Sequence, residues 1–448
     1  MKPRPPLPPG PYLVVGLARS GVAAALALAA RGERVTGVDS GGAGSAALQE
    51  AARRLSRAGV EVILDAPAAA AGAVSQSGAL VKSPGVPQGA PPIQAARRRG
   101  VPVLGELELA WRLLENEFIA VTGTNGKTTT TEWVGHIHRV AGLPVAVAGN
   151  VGTAASSLVG ELPAASTVVC EASSFQLEDT LAFAPEAAAL LNLSPDHLDR
   201  HPSYEDYVAA KLRVFANQSN DDIAVAPVGL GIEDLGGCAR RVRFGADPAA
   251  ELSERAGYLW WDEDPLIPVD EIQLPGAHNR LNAMAAAALC LARGIAPQDV
   301  AEGLRSFLGV PHRLERVRVR DGVAWVNDSK ATNVDSTLVA LRSFPGGVHL
   351  IAGGRGKQQD FAPLAPLVAE RCRAVYLIGE AAGELAAALR GTGVALHEAG
   401  DLARAVTAAA ASAGAGEVVV LSPACASYDQ YSDFEARGEH FRALVEAL

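Results

Sequence analysis

The residues best suited to do chemistry in this chain follow an apolar run that ends at Val121: Thr122-Gly123-Thr124-Asn125-Gly126-Lys127-Thr128-Thr129. Glycines at 123 and 126 let successive backbone N–H groups face a polyphosphate. Lys127 offers a point charge to the outer phosphates, and the Thr128 hydroxyl suits Mg²⁺. Val121 stands where the common G-x-x-x-x-G-K-[ST] pattern has its first glycine. The strand before the turn and the helix start after it supply a context that a chance Gly-Lys-Thr lacks. A triphosphate needs a metal, and Mg²⁺ needs hard oxygen ligands. Glu171 ends the apolar run 167–170, so it projects from a strand's C-terminal end, where ligands bind in open α/β sheets. An acid at the start of a helix is the competing reading of Glu171.

Asp196 and His197 follow another apolar run, 187–191, and reach the same sheet edge. A helix over 203–216 then places Tyr204, Tyr207, Val208, Leu212 and Phe215 on one face, with Lys211 among them. Such a lysine either extends its amine to water or is desolvated into a neutral, nucleophilic amine. An earlier turn, Gly16-Leu17-Ala18-Arg19-Ser20-Gly21, nearly matches the dinucleotide fingerprint, with Ala18 at the middle glycine and Asp39 ending the next strand. It is either a bare strand–helix turn or a helix N-terminus for a pyrophosphate, including one that carries uridine or a sugar.

A C-terminal region repeats the arrangement. Pro311-His312-Arg313-Leu314-Glu315 opens it, and Asn327-Asp328-Ser329-Lys330-Ala331-Thr332-Asn333 follows the strand 323–326. Gly353-Gly354-Arg355-Gly356-Lys357 follows 348–352, and Ser422 to Asp429 follow 417–421. Lys330 and Lys357 at neighbouring strand ends suit an anionic substrate such as a dicarboxylate, although either alone would read as a solvated loop lysine.

These residues need strands and helices to hold them. Apolar runs at 12–15, 34–38, 117–121, 167–170, 187–191, 223–226, 323–326, 348–352, 374–378 and 417–421 alternate with Ala-rich helical stretches, a helix over 22–31 being the first. That alternation predicts an α/β fold with mainly parallel sheets. At about 150 residues per domain, 448 residues suggest three domains, 1–110, 111–310 and 311–448. With 39 Lys+Arg against 49 Asp+Glu, the net charge of −10 argues against a bulk electrostatic grip on nucleic acid or an anionic membrane. Five cysteines without a CxxC argue against a disulfide framework or structural zinc and for a reducing cytoplasm. No run approaches the ~18 apolar residues that span a bilayer. The prolines before Gly10 read as an irregular lead-in rather than a signal peptide. The chain is taken as a soluble, unexported monomer.

Together TGTNGKTT, CEASSFQLE, NLSPDHLD, AAKLRVF, LPGAHNRLNA, GVPHRLE, NDSKATN, GGRGK and LSPACASYDQ resemble the Mur ligases from the Gly16 turn to Phe434. NDSKATN and LSPACASYDQ point to the members that add D-glutamate to UDP-N-acetylmuramoyl-L-alanine. The resemblance implies a Rossmann-like UDP domain, a P-loop ATP domain and a Rossmann-like amino-acid domain. It implies UDP contacts from Arg19, Ser20, Asp39, Ser40 and Gly85, and sugar or lactyl contacts from Asn150, Ser173 and Gln176. Besides residues 123–129, it implies that Asn279, Arg313 and Asp328 embrace ATP. Thr128 and Glu171 would serve one Mg²⁺, and His197 with a CO₂-carbamylated Lys211 a second. Lys330, Thr332, Lys357, Ser427 and Phe434 would receive D-glutamate. The implied reaction forms an acyl phosphate from ATP, which the incoming amine attacks after domain closure. Three rivals explain less. A folylpolyglutamate synthase-like ligase would lack NDSKATN, an NAD-dependent oxidoreductase uses only the Gly16 turn, and a nucleotide switch leaves the C-terminal loops idle.

Overall fold

The structure is a computed structural model. It describes every residue except 1, 42–44, 66, 151, 198–199, 233 and 357–358; of 46, 67–69 and 335 only the backbone is described. Lys357, expected among the D-glutamate residues, therefore lies outside the described residues. The chain forms two units, Met1–Phe307 and Leu308–Leu448.

In the first unit the buried run Tyr-Leu-Val-Val becomes β1 (Tyr12–Val15), joined by β2 (Val35–Asp39), β3 (Glu61–Leu64), β4 (Ala79–Lys82) and β5 (Val103–Gly105). All pairings are parallel, in the order β3-β2-β1-β4-β5. Period-two alternation sends Tyr12 and Val14 into one apolar cluster, with α1 (Arg19–Ala30) and α2 (Ala46–Arg57). Leu13 and Val15 enter the opposite cluster, with α3 (Pro67–Gln76) and α4 (Pro91–Arg98). Helix α1 starts at residue 19 rather than the expected 22, because Ala18 is extended and the chain turns helical directly after it. The close approach needs Gly21: a Cβ there would lie 1.8 Å from the Gly16 carbonyl oxygen.

Helix α5 (Glu106–Leu113) leads to the second sheet of this unit. Its Leu109 belongs to the first sheet's core, and its Leu107, Ala110 and Trp111 to the second's. The second sheet contains β6 (Glu117–Thr122), β7 (Val145–Gly149), β8 (Thr167–Glu171), β9 (Ala187–Leu190), β10 (Ile223–Pro227), β11 (Arg240–Gly245), β12 (Leu252–Arg255), β13 (Tyr258–Trp261) and β14 (Asp264–Pro268). Their order is β14-β13-β12-β11-β10-β9-β6-β8-β7, parallel except for the β12-β13-β14 meander. The helices are α6 (Lys127–Val140), α7 (Ser174–Leu177), α8 (Tyr204–Leu212), α9 (Ala277–Ala292) and α10 (Pro297–Ser306).

Polar ties hold the two sheets of this unit together. Buried Glu108 accepts the N–H groups of Leu181, Ala182 and Phe183. Lys82 pairs with Asp179 at 2.6 Å. In the N-terminal arm, Lys2 pairs with Asp222 at 2.6 Å, and Arg4 pairs with Glu186 and lies 4.3 Å over the Trp111 ring.

The second unit has one sheet of β15 (Glu315–Arg320), β16 (Val323–Asn327), β17 (Val348–Gly353), β18 (Cys372–Ile378), β19 (Ala395–Gly400) and β20 (Val418–Leu421). The order is β15-β16-β20-β17-β18-β19, with only β15 antiparallel. Helices α11 (Val334–Arg342), α12 (Ala365–Arg371), α13 (Ala382–Leu389), α14 (Leu402–Ser412) and α15 (Phe434–Ala447) accompany it. The three mainly parallel sheets agree with the expected fold class. Among the described residues no helix is long and apolar enough to cross a membrane.

Candidate active site

The strand–turn–helix expected around Gly126 is present. β6 ends at Thr122, and α6 begins at Lys127 behind Gly126 in the left-handed region (φ 84°). A Cβ on Gly126 would lie 2.2 Å from Asn282 Oδ1, so a side chain is excluded by space as well as by φ. Thr124 and Asn125 are pinned from the loop after β9. Thr124 N donates to the Asn192 carbonyl (3.0 Å) and Asn125 N to Asn192 Oδ1 (2.9 Å). The Lys127 ammonium donates to the carbonyls of Gly123 (3.0 Å) and Thr124 (2.8 Å). Thr128 and Thr129 are buried in the first turn of α6.

β8 lies beside β6 and ends on Glu171, not in a helix cap. Thr128 Oγ1 donates to Glu171 Oε2 at 2.7 Å, and Asn150 Nδ2 holds Oε1 at 2.9 Å. Glu171 is 3% exposed. These hard oxygens suit Mg²⁺, which takes few protein ligands and completes its shell with phosphate and water. Among the described residues no group of three or more His, Cys, Asp or Glu gathers into a metal cluster, so the fit rests on the Thr128–Glu171 pair.

Lys211 does not extend to solvent. It is 2% exposed, donates to the Gly123 carbonyl at 2.7 Å, and lies 4.5 Å from the Tyr207 ring centre. Burial, helped by the Lys127 charge, holds its amine down to about 7, against the pull of Asp196 and Glu171. The neutral-amine alternative left open by the sequence is thus the one this environment favours. Tyr207 also reaches the cradle, its hydroxyl 3.0 Å from Thr124 Oγ1. His197 has φ 54° and is half-exposed beside Asp196 (3.5 Å), its ring 4.9 Å from Phe175 and 6.5 Å from Tyr207. Among the described contacts it joins the cradle through these rings rather than through Glu171.

Ser173 and Gln176 form a capping box on α7: Ser173 Oγ accepts Gln176 N, and Gln176 Oε1 accepts Ser173 N. Gln176 is 1% exposed, and its Nε2 has no hydrogen-bond partner among the described residues. In the first turn, Asp39 accepts Leu17 N (2.7 Å) and Gly41 N (2.8 Å), so both its oxygens already brace the turn. Arg19, Ser40 and Gly85 are exposed and Ser20 is half-buried along the same loops. Asn279, in the first turn of α9, reaches the cradle through Asn282, whose Nδ2 lies 3.4 Å from Asn279 Oδ1.

In the second unit, Asp328 follows β16 and is 5% exposed. It accepts Ser422 Oγ (2.7 Å) and Leu314 N (3.1 Å). Burial pushes its carboxyl up to about 7, against Ser422, Arg313, Leu314 and Lys330. Lys330 N donates to the His312 carbonyl at 3.0 Å, which ties NDSKATN to the PHRLE loop bearing Arg313. Thr332 N donates to the Lys330 carbonyl, and Ser427 is buried in the loop after β20. Phe434 starts α15, and its carbonyl accepts Ser329 Oγ at 2.8 Å.

Three functional candidates escaped the sequence reading. Asn282 follows Asn279 by three residues, a helical spacing that could have flagged it. The Tyr207 hydroxyl was read only as part of an apolar face. Arg437 is 1% exposed and donates to Ser329 Oγ (3.0 Å) and to the carbonyls of Ser329 (2.9 Å) and Cys425 (3.1 Å). It thereby joins the loops after β16 and β20. Its signal was an arginine on the stripe of the half-buried Phe434 and the buried Phe441 and Val445.

Comparison with known proteins gives the same picture. Residues 121–290 match the Mur ligase middle domain, and 312–425 match the Mur ligase, glutamate ligase domain. The UDP-N-acetylmuramoylalanine–D-glutamate ligase of Anaeromyxobacter dehalogenans is 46% identical, with 96% of each chain covered. That of Acidobacterium capsulatum is 40% identical over 97% of this chain and 96% of its own. Among solved structures, the UDP-N-acetylmuramate-alanine ligase MurC of Thermotoga maritima shares the fold at a TM-score of 0.57 and 21% identity, covering 98% of this chain and 99% of its own. Similarity this high along nearly the whole length, on a chain whose P-loop lies beside Glu171 and Lys211, means that the chain belongs to the Mur ligase family.

Proposed function

We propose that this chain is an ATP-dependent ligase that joins D-glutamate to UDP-N-acetylmuramoyl-L-alanine in the synthesis of peptidoglycan precursors. The observation that carries the reading is the similarity to D-glutamate ligases along nearly the whole chain. The cradle geometry supports it. In this reading residues 1–110 bind UDP, 111–310 bind ATP and 311–448 receive the amino acid.

A carboxylate cannot form an amide in water unaided, because oxygen leaves it poorly. The alanyl carboxylate attacks the γ-phosphorus of ATP, the bond to ADP breaks, and an acyl phosphate results. The D-glutamate amine then attacks the acyl carbon, loses a proton, and inorganic phosphate departs. Carboxylate and triphosphate repel each other, so the site must supply positive charge and fixed N–H groups. Gly123, Thr124, Asn125, Gly126 and Thr129 present backbone to the phosphates, and Lys127 exchanges its loop carbonyls for phosphate oxygens. Asn279, Arg313 and Asp328 hold the rest of the nucleotide. Thr128 and Glu171 would hold one Mg²⁺, and His197 with Lys211 as a carbamate would hold a second; bound there, the ions would supply charge neutralisation. Carbamylation turns a buried amine into an oxygen donor, and an amine held near 7 has the neutral form that CO₂ requires.

Arg19, Ser20, Asp39, Ser40 and Gly85 contact UDP, and Asn150, Ser173 and Gln176 the sugar and lactyl end. The orphaned Gln176 amide supports this placement. Lys330, Thr332, Lys357, Ser427 and Phe434 receive D-glutamate. Phosphate release with ATP, UDP-MurNAc-L-Ala and single amino acids tests the proposal. Release with D-glutamate alone among them is expected; release with L-glutamate and a folate but not with D-glutamate would overturn it.

A further inference from the structure

We infer that the buried Lys82–Asp179 ion pair positions the UDP-substrate site by fixing the distance between the loops that hold its two ends; this rests on the function proposed above. Lys82 is the last residue of β4 and 1% exposed, and Asp179, two residues past α7, is 6% exposed. Nζ and Oδ2 are 2.6 Å apart, and Oδ1 accepts Gln88 Nε2 at 2.8 Å. Both charges are therefore desolvated, and each has a specific partner.

Each end of the pair is stiffly joined to a loop named for the substrate. On the Lys82 side, Ser83 N donates to the Val15 carbonyl (3.0 Å) and Ser83 Oγ to the Gly16 carbonyl (2.7 Å). The turn of Gly85 and the Gly16 turn thus move with Lys82. Gln88, from the same loop, contacts Asp179 directly. On the Asp179 side, its carbonyl accepts Gly105 N at 2.9 Å, and the helix just before it carries the Ser173–Gln176 capping box. Gln176 on α7 is almost wholly buried, and its amide Nε2 has no hydrogen-bond partner among the described residues, which leaves one donor there for a ligand. A UDP-sugar with a lactyl-alanyl arm must bridge the two loops, so an error in their separation is an error in binding.

The physics distinguishes this role from simple cohesion. Two buried charges pay a desolvation penalty, and an apolar pair of similar volume often holds a fold as well or better. What the apolar pair lacks is a fixed length and direction. The test is therefore the double variant Lys82→Met/Asp179→Leu in the full chain, with Asp179→Asn as a second, shape-conserving variant. The double variant should melt at or above the wild type, yet its KM for UDP-MurNAc-L-Ala should rise about tenfold or more. Its kcat and its KM values for ATP and D-glutamate should stay within about twofold. Asp179→Asn should show the same split. An unchanged UDP-substrate KM in either folded variant overturns the inference. A wild type that releases no phosphate with these substrates refutes the proposed function instead, so the two failures are distinguishable.

Discussion

Thr128 in the first turn of α6 donates its hydroxyl proton to Glu171, the last residue of the neighbouring strand, across 2.7 Å. The bond joins the residue after the P-loop lysine to the carboxylate best placed to share a cation with it. It holds the two oxygens 2.7 Å apart, close enough for one cation to reach both.

Glu171→Gln tests that arrangement. The amide oxygen can still accept from Thr128, but the new NH₂ then faces Asn150 Nδ2, donor against donor. We expect a small loss of stability, about 1 kcal/mol. Phosphate release should fall about 10²–10³-fold as a charge that neutralises the cation disappears. Titration with Mg²⁺ in the two proteins checks it, and an unaltered Mg²⁺ dependence would remove Glu171 from the cation site.

Lys211→Ala should lower turnover by about 10³-fold or more, with partial recovery on adding formate or acetate. Wild type incubated with ¹³C-bicarbonate near pH 7.5 should give a carbamate carbon resonance that the variant lacks. Full activity of the Ala variant would eliminate the carbamate.

Asp328 gives a pH signature. Its carboxyl is raised from 3.8 to about 7, first by burial. The folded state therefore binds more protons than the unfolded one between these values. Its contribution to stability is complete below pH ~4 and is lost as pH rises through ~7. Asp328→Asn should flatten that part of the profile, by a few kcal/mol across the window. Urea unfolding of both proteins at pH 4.5 and pH 8 measures it, and parallel profiles would show that the carboxyl is not raised.

Arg437→Lys keeps the charge but loses the planar fork. Several acceptors, Ser329 O and Cys425 O among them, compete for one ammonium. A cost of about 2–3 kcal/mol is expected. Because the two loops it joins carry Lys330, Thr332 and Ser427, KM for D-glutamate should rise more than KM for ATP. Equal effects on both would make Arg437 a matter of stability alone.

The P-loop was legible because strand, turn and helix are contiguous in sequence. Lys211 was legible because a helical period of 3.6 places it among apolar neighbours. Chemistry alone could not decide whether its amine reached water; the carbonyl of Gly123, 88 positions earlier, settles that. The strand Glu315–Arg320 went unread because its alternation is charge against valine on an edge, without an apolar run. The β12-β13-β14 meander went unread for its short strands. Arg437 depends on Ser329, 108 positions away, and no local pattern encodes such a pairing.

Lys127 rests on two carbonyls of the very loop it serves. An arriving anion therefore cannot simply add to a waiting cation; it must outcompete two internal acceptors already in place. A polyphosphate brings several anionic oxygens to that exchange at once. In the proposed ligase the lysine thereby favours a guest that brings several anionic oxygens to it together.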